Sequence, residues 1–134
     1  MKAEPRLRPT LLVDAARAAI ELGIARLRLN HQLPSKLIDT DPSAEAALDS
    51  AAAAMVESVA YIIPRVAVRL PWRADCLVQA IAAKRWLKTS GIGSIIHFGV
   101  PRESQRDFEA HAWLTVGEHV VTGGDISGYT PLRR

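Results

Sequence analysis

Cys76, His111 and Asp125 are the residues of this chain whose types and order could do covalent chemistry. A cysteine followed by a histidine and then a carboxylate is the order of a thiol hydrolase or acyltransferase. In such enzymes the thiol attacks a carbonyl, the imidazole moves the proton and the carboxylate orients the imidazole. Cys76 is the only cysteine and stands in Arg73-Ala74-Asp75-Cys76-Leu77-Val78-Gln79-Ala80, where a proline-containing segment gives way to an apolar helical pattern. The first turn of a helix presents free backbone N–H groups, which favour a thiolate and can hold an oxyanion when a carbonyl is attacked. Asp75 would oppose a thiolate if its carboxylate approached the sulfur, and is expected to turn away and cap the helix. An isolated cysteine otherwise packs as a small hydrophobe, so the histidine decides the matter.

His111 opens an alternating stretch, His111 to Val116, followed by Gly117-Glu118 and a second short run, His119 to Thr122. This reads as a β-hairpin. A two-residue turn pairs Val116 with His119 and sets His111 opposite Gly124. A three-residue turn pairs Val116 with Val120 and sets His111 opposite Asp125. Either register brings the Asp125 carboxylate beside the imidazole at the end of the sheet away from the turn. Asp125 could then orient the ring and leave its other nitrogen for Cys76. Asp107 and Glu109, in the loop before His111, are alternative orienting acids.

The other candidates have plainer readings. His97 lies within an apolar strand and His119 at a hairpin turn, where structural or exposed roles are usual. Gln79, one turn after Cys76, could hold a carbonyl or lie on a solvated helix face. Trp72 and Trp113 could line a peptide cleft, although aromatic residues usually serve the core. No pair among His97, His111, His119 and Asp125 has compact ligand spacing, so a metal site is not expected. A single cysteine excludes an intramolecular disulfide and any multi-thiolate zinc site, and fits a reducing, cytoplasmic setting.

The 134 residues suffice for one domain with a real core, and 49% hydrophobic with 23% charged residues is a globular composition. A net charge of +3, with the arginines dispersed, gives nucleic-acid binding little support. No signal peptide is read at the N-terminus, and the alanine-rich run from Ala44 to Ile63 carries Glu45, Asp49 and Glu57, which are costly in lipid. Stable membrane insertion is therefore not expected.

The elements that must position these residues follow from periodicity. Thr10 can cap a helix reaching about Leu29, with Leu11, Leu12, Ala15, Ala19, Ile20 and Leu22 on its apolar face and Arg17, Glu21 and Arg28 on the wet side. His31 to Thr40 reads as a connector. Asp41-Pro42 starts a second helix that should stop near Ile62, before Pro64. Val66, Val68 and Leu70 alternate like a short strand, with helix also open. A third helix runs from Asp75 to a stop at Gly91. Gly93 to Val100, His111 to Val116 and His119 to Thr122 are strands, and Ile126 to Arg134 is an irregular tail in which Tyr129 could pack. The fold expected is α+β: a single domain over residues 1–134, helical through residue 70, with a cysteine-bearing helix packed on a small antiparallel sheet from residue 71 onward.

Cys76-Leu77-Val78-Gln79-Ala80, the helix end at Leu87 to Gly91, Gly99-Val100 and Ala110-His111-Ala112-Trp113-Leu114 together resemble a known family. Thr122-Gly123-Gly124-Asp125 and Tyr129-Thr130-Pro131-Leu132 fit the same pattern. The chain is similar, over roughly Leu70 to Leu132, to the transglutaminase-like proteases of lasso peptide biosynthesis, which also occur as the C-terminal domain of fused B proteins. The resemblance implies a transglutaminase- or papain-like core with Cys76 as nucleophile, His111 as base and Asp125 as acid. It implies a leader peptidase acting on a ribosomally made lasso precursor, without metal or organic cofactor. The first 70 residues show no winged-helix β pattern, so the resemblance also implies a separate leader-recognition protein, with an ATP-using lasso cyclase as a further partner. The same site would also suit another acyltransferase or amidase, and a non-catalytic peptide-binding module remains the alternative of a different class.

Overall fold

The computed structural model describes residues 11–31, 49–72, 74–101, 111–124 and 126–131. Among these residues three helices, α1 (Leu11–His31), α2 (Ser50–Ala67) and α3 (Cys76–Thr89), precede four strands, β1 (Ile95–Pro101), β2 (His111–Val116), β3 (His119–Thr122) and β4 (Tyr129–Pro131). The strands form one antiparallel sheet in the order β3-β2-β1-β4. The fold is α+β, as the change of period from helical to alternating predicts.

The helices pack on one another, and α3 lies against β2, β3 and β1. Ala18, Leu22 and Ala25 of α1 meet Val56, Val59, Ile62 and Ile63 of α2 and Val78, Ala82 and Leu87 of α3 in one core. Ile96, Leu114, Val116 and Val121 close it from the sheet. The buried stripe of α1 therefore differs from the one read in the sequence: Leu12 and Ile20 are exposed, while Ala18 and Ala25 are fully buried. Alanines at the seam allow close helix approach, and that selects the face.

Glu21 lies on this seam rather than on the wet side, only 4% exposed. It accepts a hydrogen bond from Arg17 Nε at 3.0 Å. Arg85 Nε of α3 stands 2.9 Å from its second oxygen, off the hydrogen-bonding direction, as a charge contact. Two cations, themselves about one-third exposed, compensate the buried carboxylate and tie α1 to α3.

Helix α2 also runs further than expected, through Pro64 to Ala67, so the strand-like alternation of Val66 and Val68 is partly helical. An interior proline costs about 3 kcal/mol. Burying Ile62, Ile63 and Ala67 on the helix face more than offsets this, at about 1.5–3 kcal/mol for each large side chain. Arg65 Nη1 donates to the Tyr61 carbonyl at 2.7 Å beside the proline, and its guanidinium lies over the Tyr61 ring. The start of this helix predicted at Asp41-Pro42 lies outside the described residues, as do Thr10 and the loop carrying Asp107 and Glu109. Within them, Asp49 caps α2 by accepting from Ala52 N at 2.7 Å. By length and composition α2 could cross a membrane, but Val56, Val59, Ile62, Ile63 and Ala67 are spent in the protein core.

The hairpin has the two-residue turn: Val116 pairs with His119 around Gly117, whose φ is +57°. A bulge follows at once. Thr115 pairs with Val120 but Leu114 with Thr122, so Val121 is the extra residue and turns into the core. The tail is not irregular: Tyr129, Thr130 and Pro131 pair with Pro101, Val100 and Gly99 as a fourth strand.

Candidate functional site

Cys76 is the first residue of α3, half-buried and free. Asp75 is extended (φ −75°, ψ −176°), and its carboxylate accepts from Val78 N at 3.2 Å. The acid is thus occupied in capping, as its position before a helix requires. The N–H groups of Cys76 and Leu77, which helix geometry leaves without intrahelical acceptors, stand at the same positive end. Gln79 turns back along this end, donating from Nε2 to the Ala74 carbonyl at 3.0 Å. It braces the backbone that leads into the cysteine, a role its sequence position did not reveal.

Topology decides where His111 sits relative to this thiol. Only residues 90–94 join α3 to β1, with Ile92 N bonded to the Leu87 carbonyl and Lys84 Nζ donating to the Ser94 carbonyl. β1 therefore starts at the C-terminal end of α3 and runs back toward Cys76. His111 pairs with Gly99, four residues along β1, about 13 Å into that return at the usual strand rise. His111 thus lies at the end of β2 remote from the hairpin turn and away from the α3–β1 junction. Among the described residues no hydrogen bond joins the thiol to the imidazole.

Two groups hold the imidazole. Nε2 lies 2.7 Å from the Gly123 carbonyl oxygen. A carbonyl only accepts, so Nε2 carries the proton and, in the neutral ring, Nδ1 keeps its lone pair. Tyr129 stacks on the ring, with centroids 4.7 Å apart and planes inclined by 29°. Trp113, from the same strand, lies 6.1 Å away at 28°. Trp113 is 2% exposed, so it buttresses the histidine rather than lining an open cleft.

Two glycines make room for these rings. A Cβ on Gly99 would stand 2.7 Å from the Trp113 indole and 2.9 Å from the Thr130 carbonyl. The empty position on β1 thus lets side chains from β2 and β4 meet across it. Gly123 has φ +108°, and a Cβ there would fall 2.3 Å from that of Trp113. Neither hairpin register anticipated this contact: β3 ends at Thr122, and the backbone carbonyl of Gly123 is what meets the imidazole. Asp125 lies outside the described residues.

Of the other candidate histidines, His97 meets this arrangement through Trp113 and His119 does not. His119 is exposed at the turn. His97 stacks on Trp113 at 5.6 Å, and its Nε2 is 2.8 Å from Thr115 Oγ1. Burial pushes the His97 pKa below its ordinary value. The unfolded chain then takes up a proton first as pH falls, so stability declines through the ordinary histidine value of about 6.5 and below. His97→Gln should lose less melting temperature than the wild type between about pH 7.5 and pH 5.5. Parallel pH–Tm curves for the two would show that His97 carries none of the acid limb.

Among the described residues no three His, Cys, Asp or Glu side chains converge as metal ligands. What the arrangement offers is a half-buried thiol at a helix N-terminus, backbone donors beside it and a histidine with a fixed tautomer. Those are the parts of acyl transfer through sulfur. In comparisons with known proteins, a family model described as transglutaminase-like superfamily matches residues 11–134. No curated protein and no solved structure matches the chain.

Proposed function

The chain belongs to the transglutaminase-like superfamily, whose members are often cysteine peptidases or acyltransferases, and on that premise we propose that it is a leader peptidase of lasso peptide maturation. The observations that support the catalytic part are Cys76 at the positive end of α3 and His111 held through Nε2 by the Gly123 carbonyl, and the proposed reaction brings the two together. In the proposed reaction His111 Nδ1 takes the thiol proton as Sγ attacks the carbonyl that ends the leader. The N–H groups of Cys76 and Leu77 receive the developing oxyanion. Collapse breaks the C–N bond, and His111 delivers its proton to the departing amine, which is the new amino terminus of the core peptide. Water, deprotonated by the same nitrogen, then hydrolyses the thioester, releasing the leader acid and restoring the thiol.

Asp125 is proposed as the supporting acid. Gly123, two residues before it, already accepts from Nε2, so the carboxylate is assigned to favouring the imidazolium by charge rather than to fixing the tautomer. The resemblance of the Cys76 and Ala110-His111-Ala112-Trp113 motifs to lasso proteases supports the substrate class. A separate leader-recognition protein is proposed as partner, and no step of the proposed reaction uses a cofactor. The test is cleavage of a lasso precursor, read by mass spectrometry with and without that recognition protein. The expected result is one cut at the leader–core junction, strongly accelerated by the added protein. No cut under either condition, with both proteins folded, would instead favour a peptide-binding module. Transfer of the acyl group to an added amine in preference to water would indicate an acyltransferase.

A further inference from the structure

We propose that Tyr129 is a positioning residue for His111, acting through the imidazole and not on the substrate; the inference rests on the peptidase reading above. Three rings meet at this corner. The centroid separations are 4.7 Å for His111–Tyr129, 6.1 Å for His111–Trp113 and 6.5 Å for Trp113–Tyr129. A histidine sandwiched between the other two would hold them more than 10 Å apart, roughly the sum of its two separations. The rings therefore form a triangle, with Tyr129 as the close partner. It reaches His111 from β4 across β1, over the gap that Gly99 leaves.

A single hydrogen bond from Nε2 to the Gly123 carbonyl fixes one point of the ring but not its plane. The imidazole can still rock about that bond and swing Nδ1 away from a thiol it must deprotonate. Stacking removes this freedom, because the ring cannot rotate without losing its face contact with Tyr129. The fourth strand thereby gains a purpose beyond closing the sheet: three paired residues deliver one aromatic face to the base. The contact needs the ring and not the hydroxyl, since it is the ring faces that meet.

The test compares wild type, Tyr129→Phe, Tyr129→Leu and Tyr129→Ala in the full chain, with circular dichroism as the check on folding. Steady-state cleavage of the precursor is measured alongside the 15N resonances of the His111 ring. Tyr129→Phe should keep kcat within about twofold. Tyr129→Ala and Tyr129→Leu should lower kcat about ten- to a hundredfold with KM changed less than about threefold, the usual scale for a misplaced catalytic group. Their His111 15N resonances should broaden as the ring plane rocks, while the tautomer stays Nε2–H through the Gly123 carbonyl. Tyr129→Leu keeps apolar bulk on the short strand and decides the matter if Tyr129→Ala does not fold. Unchanged kcat, or unchanged His111 15N line widths in a folded Leu or Ala variant, overturns the proposal. Failure of the peptidase reading shows differently, as no precursor cleavage by the folded wild type or as turnover that survives loss of Cys76, and the 15N measurement reports on the clamp in either case.

Discussion

Cys76→Ala should abolish precursor cleavage, with turnover reduced by at least about 10⁴-fold, the scale on which removing a covalent nucleophile acts. The fold should be unharmed. Cys76 is half-buried in the first turn of α3 and makes no hydrogen bond among the described residues, while the cap on that turn comes from Asp75. Removing one sulfur from such a position leaves little cavity, so the melting temperature should change by no more than a few degrees. The informative comparison is with Asp125→Asn. In a triad whose acid alone fixes the tautomer, the amide swap costs about 10⁴ in rate. Here the Gly123 carbonyl already holds the proton on Nε2, so the loss should be only about ten- to a hundredfold. Rates and melting curves for the two variants check both claims. Equal losses would return the orienting role to the carboxylate, and an active Cys76→Ala would leave the cysteine a packing residue.

The second large effect is expected at Gly123. Its φ of +108° is strained for any residue with a Cβ, and that Cβ would fall 2.3 Å from Trp113 Cβ and 3.3 Å from His111 Nε2. Trp113 Cβ is bonded to the backbone and is not the far end of a flexible chain, so backbone must move, and with it the carbonyl that holds the imidazole. Strain of about 1–3 kcal/mol and overpacking of about 1–3 kcal/mol combine in Gly123→Ala. At this chain length the melting temperature should fall by roughly 10 °C or more. Activity should fall at temperatures where the variant is still folded. Gly124→Ala is the control. Its φ is +66°, but nothing lies within 4 Å of the added carbon, so only the left-handed backbone penalty of about 1–2 kcal/mol applies. Similar thermal shifts for the two variants would mean that the contact with Trp113 and His111 relaxes without consequence.

What the sequence determined by itself was whatever a short window of chain decides. Asp75 before an apolar helical run is a cap, so Cys76 falls in the first turn, and the structure has both. Gly91 ends α3 with φ +75°. Alternation and the Gly117-Glu118 turn place β2 and β3 at the residues read from the sequence. The candidate nucleophile and base were therefore legible, because a helix start and a hairpin are local events governed by capping, period and turn chemistry.

Only the tertiary structure decided what depends on partners far along the chain. Glu21 reads as a wet-side residue until Arg85 arrives from α3 to compensate it. Pro64 reads as a stop until burial of the residues around it outweighs the lost hydrogen bond. Tyr129 to Pro131 are too few to announce a strand, and they become one because the open edge of β1 has unpaired N–H and C=O groups to satisfy. The extra residue at Val121 ends the register that simple hairpin counting assumes, and with it the expectation of which residue lies opposite His111. The setting of His111 is accordingly tertiary: a carbonyl from beyond the hairpin, a ring from β4, and glycines whose missing side chains make room for them.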